Sequence, residues 1–265
     1  MARSSICSFS WHKMSKYDLP FATPLMNAAG SLGFSPDRRG PLDLTHLGAF
    51  VTNPVSLAPR TPAHARRCQP YPGGFLLHTG YPNPGLSQVI RRYRAKWAQA
   101  PLPVIVHILG ENPDQVGTTV RRLEGLEGVA GIELGLPVEI DRGAAVELVQ
   151  AGLGELPLIV RVPLERAIDL AQSVARLPVT ALSLGPPRGV WINSSGETTR
   201  GRLYGPAIFP LALAAVSSLA RSGIPVIGAG GVFHPENAEA MLSAGALAVQ
   251  VDMILWIASW LNKPG

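Results

Sequence analysis

Eight short apolar segments, separated by longer amphipathic ones, constrain the fold more than any other feature of this sequence. The short segments are rich in β-branched residues, as buried parallel strands are, and they span residues 24–28, 49–53, 104–108, 131–134, 158–162, 181–184, 225–227 and 246–251. The amphipathic segments predict helices over residues 86–98, 113–123, 143–151, 164–175, 207–222, 235–243 and 253–261, with only a weak helix near 43–46. This alternation predicts an α/β fold, a shortened (β/α)8 TIM barrel, rather than an open sheet.

The composition indicates one folded unit with a large core. Of the 265 residues, 46% are hydrophobic and 15% are charged, which excludes a disordered chain. We predict a single barrel over residues 17–265, preceded by a disordered polar extension over residues 1–16. No run of about 18 uncharged apolar residues predicts a membrane span, so no membrane partner is expected.

Charge and cysteine content narrow the choice of partners. The net charge is +5, but the arginine clusters at 66–67 and 91–94 lie in no recognisable nucleic-acid motif, so no nucleic-acid partner is expected. Cys7 and Cys68 form neither a metal-binding spacing nor a disulfide framework, and the N-terminus lacks a secretory signal. We therefore expect a cytoplasmic protein without a metal. The sequence does not fix the oligomeric state, and a homodimer is one option.

Glycines near the end of the chain are the strongest local signal of a ligand. A predicted strand ends in Gly228-Ala-Gly-Gly231, and the next predicted strand ends just before Asp252. Backbone N–H groups in such turns can bind a phosphate after strands seven and eight of a barrel. The alternative is a turn that only closes the strand. Asp252 opposes a phosphate, because its carboxylate repels a dianion unless it points away or meets an arginine.

Two further segments predict a ligand at the C-terminal mouth of the barrel. Residues 24–34 end a strand in small residues, which either admit a flat ligand close to the backbone or pack tightly. Residues 56–84 are rich in Pro, Gly and His and have little periodicity. We predict that they form a long loop over the mouth, where barrel active sites lie.

Together these segments resemble the dihydroorotate dehydrogenase family of FMN-binding (β/α)8 barrels, with the departures of a divergent member. The resemblance runs from about residue 17 to 261 and is carried in order by residues 24–30, 48–60, 77–85, 131–134, 201–207, 224–232 and 244–251. It implies the barrel fold, FMN as the cofactor and a place in pyrimidine metabolism.

The resemblance also implies a set of FMN contacts. Small residues would lie along the flavin ring, and glycines would lie near the ribityl phosphate. Arg161 replaces a family lysine and would keep a cation near the flavin N1 and C2 oxygen. Asn53 replaces a second lysine, and Asp252-Met253 replaces a Gly-Thr pair. The implied cofactor-binding residues are Ala28, Ala29, Gly30, Thr52, Asn53, Arg161, Gly205, Gly230, Gly231, Asp252 and Met253.

The substrate side departs further from the family. The asparagines that hydrogen-bond the orotate ring are replaced by Leu77, Gly135 and Gly185, whose side chains make no such bonds. The loop over residues 135–141 has no cysteine or serine where the family carries its catalytic base. Because both the base and the polar ring contacts are missing, we expect a small planar or acidic substrate other than dihydroorotate.

Other residues are candidates for the missing groups. Glu139 and Asp141 are candidate bases, unless they are solvated loop carboxylates, and His78 is a candidate proton donor, unless its role in the loop is structural. Glu139, His78 and Arg161 are the predicted catalytic residues. The predicted substrate-binding residues are Thr79, Gly80 and Tyr81, where Tyr81 either contacts a ring or has a structural role.

Three further charged or titratable residues follow predicted strands. His107 points either into the mouth or into satisfied core contacts. Arg188 and Arg202 follow the sixth strand and are candidates to receive an acidic substrate or the phosphate. Arg202 is also the predicted counter-charge for Asp252.

The sequence thus predicts an FMN-dependent oxidoreductase that acts on a small planar or acidic molecule. The first alternative is a non-catalytic relative, a binding or scaffold subunit, which the lost lysines and the lost base favour. The second alternative is a flavin-free enzyme that handles a phosphorylated metabolite.

Overall fold

The computed structural model describes residues 19, 21–64, 68–257 and 260–263. Its twelve strands among these residues are β1 (Leu25–Asn27), β2 (Phe50–Val51), β3 (Cys68–Tyr71), β4 (Gly74–Leu77), β5 (Val104–Leu109), β6 (Val129–Gly135), β7 (Leu158–Pro163), β8 (Ala181–Gly185), β9 (Arg188–Ile192), β10 (Thr198–Tyr204), β11 (Val226–Ala229) and β12 (Ala248–Val251). The predicted extension over residues 1–16 lies outside the described residues, so the boundary at residue 17 stays a prediction.

Eight of these strands form the predicted barrel. They pair in parallel in the order β1-β12-β11-β8-β7-β6-β5-β2, and a parallel bridge between Met26 and Ala49 joins β1 to β2. The (β/α)8 prediction is confirmed, with strand boundaries close to the predicted ones. The apolar runs form buried strands because the helices cover the outer face of the barrel.

The helices on the outer face are α1 (Leu86–Ala98), α2 (Pro113–Leu123), α3 (Arg142–Gly152), α4 (Ala167–Val174), α5 (Phe209–Arg221) and α6 (Pro235–Ser243). Asn112 and Asp141 cap α2 and α3 by accepting backbone N–H groups of the first turn. The predicted helix over 253–261 is wrong. A short 3-10 turn, Met253–Trp256, replaces it and ends because the backbone of Ile257 is extended; residues 258–259 lie outside the described part.

Side chains alternate between the interior and the outer face of each barrel strand. An apolar layer that includes Met26, Ile105, Ile159 and Ile227 fills the interior. Nearer the C-terminal ends of the strands, the buried interior side chains become polar, namely His107, Glu133, Ser183 and Gln250. The floor of the mouth is therefore polar, whereas the deeper barrel interior is apolar.

A second sheet was missed by the sequence analysis. The segment predicted as a loop over residues 56–84 contains the hairpin of β3 and β4, and the segment after β8 forms the hairpin of β9 and β10. The two hairpins join in an antiparallel sheet of order β3-β4-β10-β9. Pairing of β4 with β10 places Leu77 opposite Arg202. Two loops that are far apart in sequence thus form one structure beside the barrel mouth.

Within the described residues, no helix is both long and apolar enough to cross a membrane.

Candidate functional site

A cavity of about 490 Å³ opens at the C-terminal mouth of the barrel. Four arginines line it: Arg60, Arg161, Arg188 and Arg202. Glycines that end barrel strands, including Gly135 and Gly185, leave its floor open because they carry no side chains. The cavity is therefore large enough for a small molecule and is lined by positive charge.

The mouth contains few carboxylates to balance these arginines. Arg60 Nη1 lies 2.7 Å from Glu111 Oε1 in an exposed pair. Arg161 Nη1 lies 3.9 Å from Glu133 Oε2 beneath the cavity. Among the residues that the structure describes, neither Arg188 nor Arg202 forms an ion pair. Two guanidinium groups thus remain available to an acidic ligand.

Tyr81 and Arg202 form one wall of the mouth. The Arg202 guanidinium lies 3.9 Å from the centroid of the Tyr81 ring, and its Nη2 donates a hydrogen bond of 3.0 Å to Thr79 Oγ1. Burial raises the pKa of Tyr81, but the guanidinium groups of Arg202, Arg161 and Arg188 outweigh this effect and hold that pKa below its ordinary value.

The backbone of Tyr81 is strained as well. Its φ is 53°, the single positive φ of a non-glycine residue among those described, and bulky residues rarely adopt this conformation. Strain of this kind is often found at binding sites. The loop around it is held by Asn83, whose buried side chain hydrogen-bonds Ser56.

Four polar side chains form a network under the mouth. His107 Nδ1 lies 2.6 Å from Glu133 Oε2, while Ser183 Oγ and Gln250 Nε2 donate to Glu133 Oε1 at 2.7 and 2.6 Å. Burial alone would raise the pKa of Glu133, but the hydrogen bonds from His107 and Ser183 and the charge of Arg161 lower it to about 2. Burial lowers the pKa of His107 despite Glu133. At neutral pH, Glu133 is therefore ionised and the imidazole is neutral.

A second region, which we call the cradle, lies beside the late glycines. Gly230, Gly231, Ala28, Tyr204 and Asp252 line it, and about 10 Å³ of free space remains there, roughly enough for one water molecule. Tyr204 is held in place by stacking on Phe75, with ring centroids 5.5 Å apart. The chain's own side chains therefore fill most of this region.

The Asp252 side chain lies in the cradle and acts there as a hydrogen-bond acceptor. Its Oδ1 accepts the backbone N–H of Met253, and burial raises the pKa of its carboxyl group. The predicted pairing with Arg202 is wrong, because Arg202 instead stacks on Tyr81 and donates to Thr79. Within the described part of the chain, no cation lies within ion-pair distance of Asp252.

The residues present do not fit FMN. A phosphate beside Gly230 and Gly231 would meet the Asp252 carboxylate, and the Met253 N–H already donates to that carboxylate. At 4 Å and an effective dielectric constant of 20, two unit charges repel by about 4 kcal/mol. The free space of about 10 Å³ also holds no tricyclic ring unless side chains of the cradle move.

The other implied cofactor residues serve the chain itself. Thr52 Oγ1 donates to Asn53 O and accepts from the His107 backbone N–H, and Asn53 Oδ1 accepts from Gly33 N. Gly205 packs against the turn at Gly73, where a Cβ would lie 2.2 Å from Gly73 O. Of the small residues after β1, Ala28 lines the cradle, Ala29 packs against the interior core and Gly30 is exposed.

The predicted catalytic and substrate-binding residues divide into two groups. Arg161, His78, Thr79, Gly80 and Tyr81 all line the mouth. Glu139 does not, because it is exposed on the outer side of its loop in a groove that also contains Arg188 and Arg200.

Glu133 and its partners are site residues that the sequence patterns did not predict. Its signal was present: a glutamate lies in the middle of a strand that is otherwise apolar, on the same face as Gly131 and Gly135. A charged residue at such a buried position needs hydrogen-bonding partners. Those partners, Ser183 and Gln250, come from β8 and β12 and gave no local signal.

Comparisons with known proteins identify the family. The family model described as dihydroorotate dehydrogenase matches residues 13–138. A relative from Citrifermentans bemidjiense, named dihydroorotate dehydrogenase B (NAD(+)) catalytic subunit, is 30% identical over 254 residues, which cover 86% of this chain and 82% of the relative. The chain belongs to the dihydroorotate dehydrogenase family. A relative of the same name from Geobacter sp. (strain M21) is 32% identical over 249 residues, with the same coverage.

A solved structure of a dihydroorotate dehydrogenase family member has the same fold. The enzyme from Eimeria tenella, in complex with ferulenol, matches with a TM-score of 0.71 and covers 94% of this chain and 82% of its own. Its sequence identity is 16%, so this likeness supports the barrel fold alone. The expected family resemblance and the barrel architecture are both confirmed.

Proposed function

We propose that this member of the dihydroorotate dehydrogenase family binds a small, planar, acidic molecule in its mouth and does not hold FMN in its cradle. The observation that carries the proposal is the pair Arg188 and Arg202, which line a cavity of about 490 Å³ without an ion pair among the described residues. Guanidinium groups bind carboxylates by charge-assisted hydrogen bonds. The proposal corresponds to the binding alternative of the sequence analysis.

The shape of the wall supports a planar ligand. Tyr81 and Arg202 present a stacked, flat pair, with the guanidinium 3.9 Å from the ring centroid. Gly135 and Gly185 line the same cavity and leave its backbone uncovered. A flat acid would meet cations at its edge and little steric hindrance at its face. Dihydroorotate and orotate, which the names of the relatives suggest, belong to this chemical class.

Isothermal titration calorimetry with two matched probes tests the proposal. Orotate and uracil share a pyrimidine ring, but only orotate carries a carboxylate. We expect orotate to bind at least tenfold more tightly than uracil, since a hydrogen bond to a charged group contributes about 1.5–3 kcal/mol. Equal binding of the two probes, or none of either, would contradict the proposal.

FMN-dependent redox on such a molecule is the second candidate. It is supported by family membership and by the glycine pair Gly230-Gly231, and it requires that Tyr204 and Asp252 leave the cradle. A visible spectrum of the purified protein, before and after incubation with excess FMN and gel filtration, decides between the two. A retained flavin band would replace our proposal by this one, and a colourless protein would support ours.

The assembly and location of the protein stay predictions. The relatives are named catalytic subunits, which implies that they work with another subunit. A homodimer is tested by light scattering of the purified chain, and a cytoplasmic location by fractionation of the cells.

A further inference from the structure

The polar network under the mouth contains an imidazole with one free nitrogen. His107 Nδ1 is bound to the Glu133 carboxylate at 2.6 Å. The bond to Glu133 is the one hydrogen bond of the His107 ring among the described residues, and the ring lines the mouth cavity, so Nε2 has no protein partner there. The nitrogen lies beside Gly135, where a Cβ would approach it to 3.0 Å. Gly135 therefore leaves the space that the imidazole ring occupies at the floor of the cavity.

Donor and acceptor roles fix the tautomer of this imidazole. The Glu133 carboxylate is ionised and only accepts hydrogen bonds, so Nδ1 carries the proton of the neutral ring. Ser183 and Gln250 hold the other carboxylate oxygen and keep Glu133 in position. It follows that Nε2 has a free lone pair, and it lies beside Gly135 in the lining of the mouth. A carboxylate that orients an imidazole in this way is a recurring arrangement in proton transfer.

The charges around the dyad favour a base that works on an anion. Glu133 on β6, Arg161 on β7 and Arg202 on β10 act on the charge of His107. The cavity that the ring lines also holds the titratable and charged residues Arg60, His78, Tyr81, Glu111 and Arg188. The guanidinium groups disfavour a second proton on His107 in the free protein. They would stabilise negative charge that develops on a ligand oxygen.

We propose that His107 is a general base, positioned by Glu133, that removes a proton from a carbon next to a carbonyl group of the acidic ligand in the mouth. The C–H bond breaks, the proton goes to Nε2, and the electron pair moves into the carbonyl to form an enolate. Arg161 or Arg202 stabilises the enolate oxygen. Return of the proton from Nε2 regenerates the ligand, so this step is redox-neutral and needs no co-reactant.

This inference rests on the proposed function, because the ligand must first bind in the mouth. The base lies on β5, and not on the loop over residues 135–141 where the family resemblance places one. His107 acts on the ligand itself, and Glu133 is a positioning residue.

Two independent measurements test the inference. The first is the tautomer of His107, read from 15N spectra of the histidine-labelled full chain at pH 7 and assigned by comparison with His107→Asn. We expect protonated Nδ1 in a strong hydrogen bond and unprotonated Nε2. A proton on Nε2, or an imidazolium, would overturn the proposal whether or not any probe binds.

The second measurement is exchange of the C5 protons of dihydroorotate for deuterium in D2O, followed by 1H NMR. Dihydroorotate carries these protons next to a ring carbonyl. We expect the wild-type chain to accelerate the exchange and His107→Asn to lower the rate at least 100-fold, as loss of a general base does. Glu133→Gln should lower it at least tenfold, and the control His46→Gln, in an exposed surface turn, should retain the wild-type rate.

Binding and proton transfer are separated by titrating orotate into each variant. If orotate binds but the wild-type chain does not accelerate the exchange, the base proposal is wrong and the binding proposal stands. If the variants bind orotate as the wild type does but lose only exchange, the role of His107 is supported. If His107→Asn fails to fold, the His107 signal is assigned from its shift in Glu133→Gln, and the tautomer of the wild-type chain still decides.

Discussion

The mouth and the cradle are neighbouring regions of one barrel that differ in charge and in free space. The mouth holds about 490 Å³ of space among arginines, two of them without an ion pair among the described residues. The cradle holds about 10 Å³, and its polar N–H at Met253 already donates to the chain's own carboxylate, Asp252. The glycine sequence alone would suggest a ligand in the cradle, but the free space lies in the mouth.

The comparison shows that a glycine-rich turn is no proof of a ligand. Gly231 is needed for close packing, since a Cβ there would lie 2.3 Å from Phe209 N. The packing of the chain therefore requires glycine at this position even where no phosphate is bound. The carboxylate of Asp252 satisfies an N–H group at the end of β12 that would otherwise need another partner.

The largest effect that would alter this contrast is expected from Asp252→Gly combined with Met253→Thr. Removal of the carboxylate eliminates a repulsion of about 4 kcal/mol toward a phosphate, so FMN affinity should rise by roughly a thousandfold. Quenching of flavin fluorescence measures it. Asp252→Asn is the matched control, because it removes the charge but keeps the bulk. No gain in either variant would mean that Tyr204 and the lack of space, rather than charge, close the cradle.

The next largest effect concerns the stability of the mouth floor in acid. The pKa of Glu133 is about 2 in the folded chain against 4.5 for the free group. Because the folded value is depressed, this contribution is fully present above pH 4.5 and is lost as the pH falls from about 4.5 to 2, by roughly 3 kcal/mol. Urea unfolding at several pH values measures it. In Glu133→Gln this part of the pH dependence should disappear. If the free energy of unfolding of the variant falls with pH in parallel with the wild type, Glu133 is not the group responsible.

A smaller effect is expected from removing an arginine of the mouth, which tests whether these arginines bind the acidic ligand. Arg202→Ala removes a guanidinium from the mouth wall and should weaken orotate binding by about 2 kcal/mol, or roughly thirtyfold. Arg200→Ala is the control, since Arg200 lies on the same strand but is exposed and outside the cavity. Calorimetry on both variants should show a loss only for Arg202. A similar loss in both would indicate a general effect of net charge instead of a contact in the mouth.

The smallest effect tests the space at the floor. Gly135→Ala places a Cβ about 3.0 Å from His107 Nε2, so the ring must shift and the free energy of unfolding should fall by about 1 kcal/mol. Gly40→Ala, whose Cβ meets its nearest neighbour at 3.5 Å, should be nearly neutral. Chemical denaturation compares the two. An unchanged stability of Gly135→Ala would show that the ring does not depend on this space.

Much of the fold could be predicted because its signals are local. Runs such as Val104–Leu109 and Leu158–Pro163 are apolar and β-branched, and caps such as Asn112 and Asp141 mark helix starts within a few residues. The second sheet could not be predicted in this way, since its central pairing joins Gly74–Leu77 to Thr198–Tyr204, more than a hundred residues away. The predicted C-terminal helix is wrong because the backbone at Ile257 is extended and not helical.

The sequence by itself determined the barrel, the family and the positions of the glycines, because the period of apolar residues and short motifs depend on neighbours along the chain. Only the tertiary structure decided which region is open. Barrel closure brings His107, Glu133, Ser183 and Gln250 together from four strands, and the pairing of β4 with β10 sets Arg202 over the mouth. The free volume and the charge of a site depend on residues from many parts of the chain. They are therefore set only when the strands have paired in register.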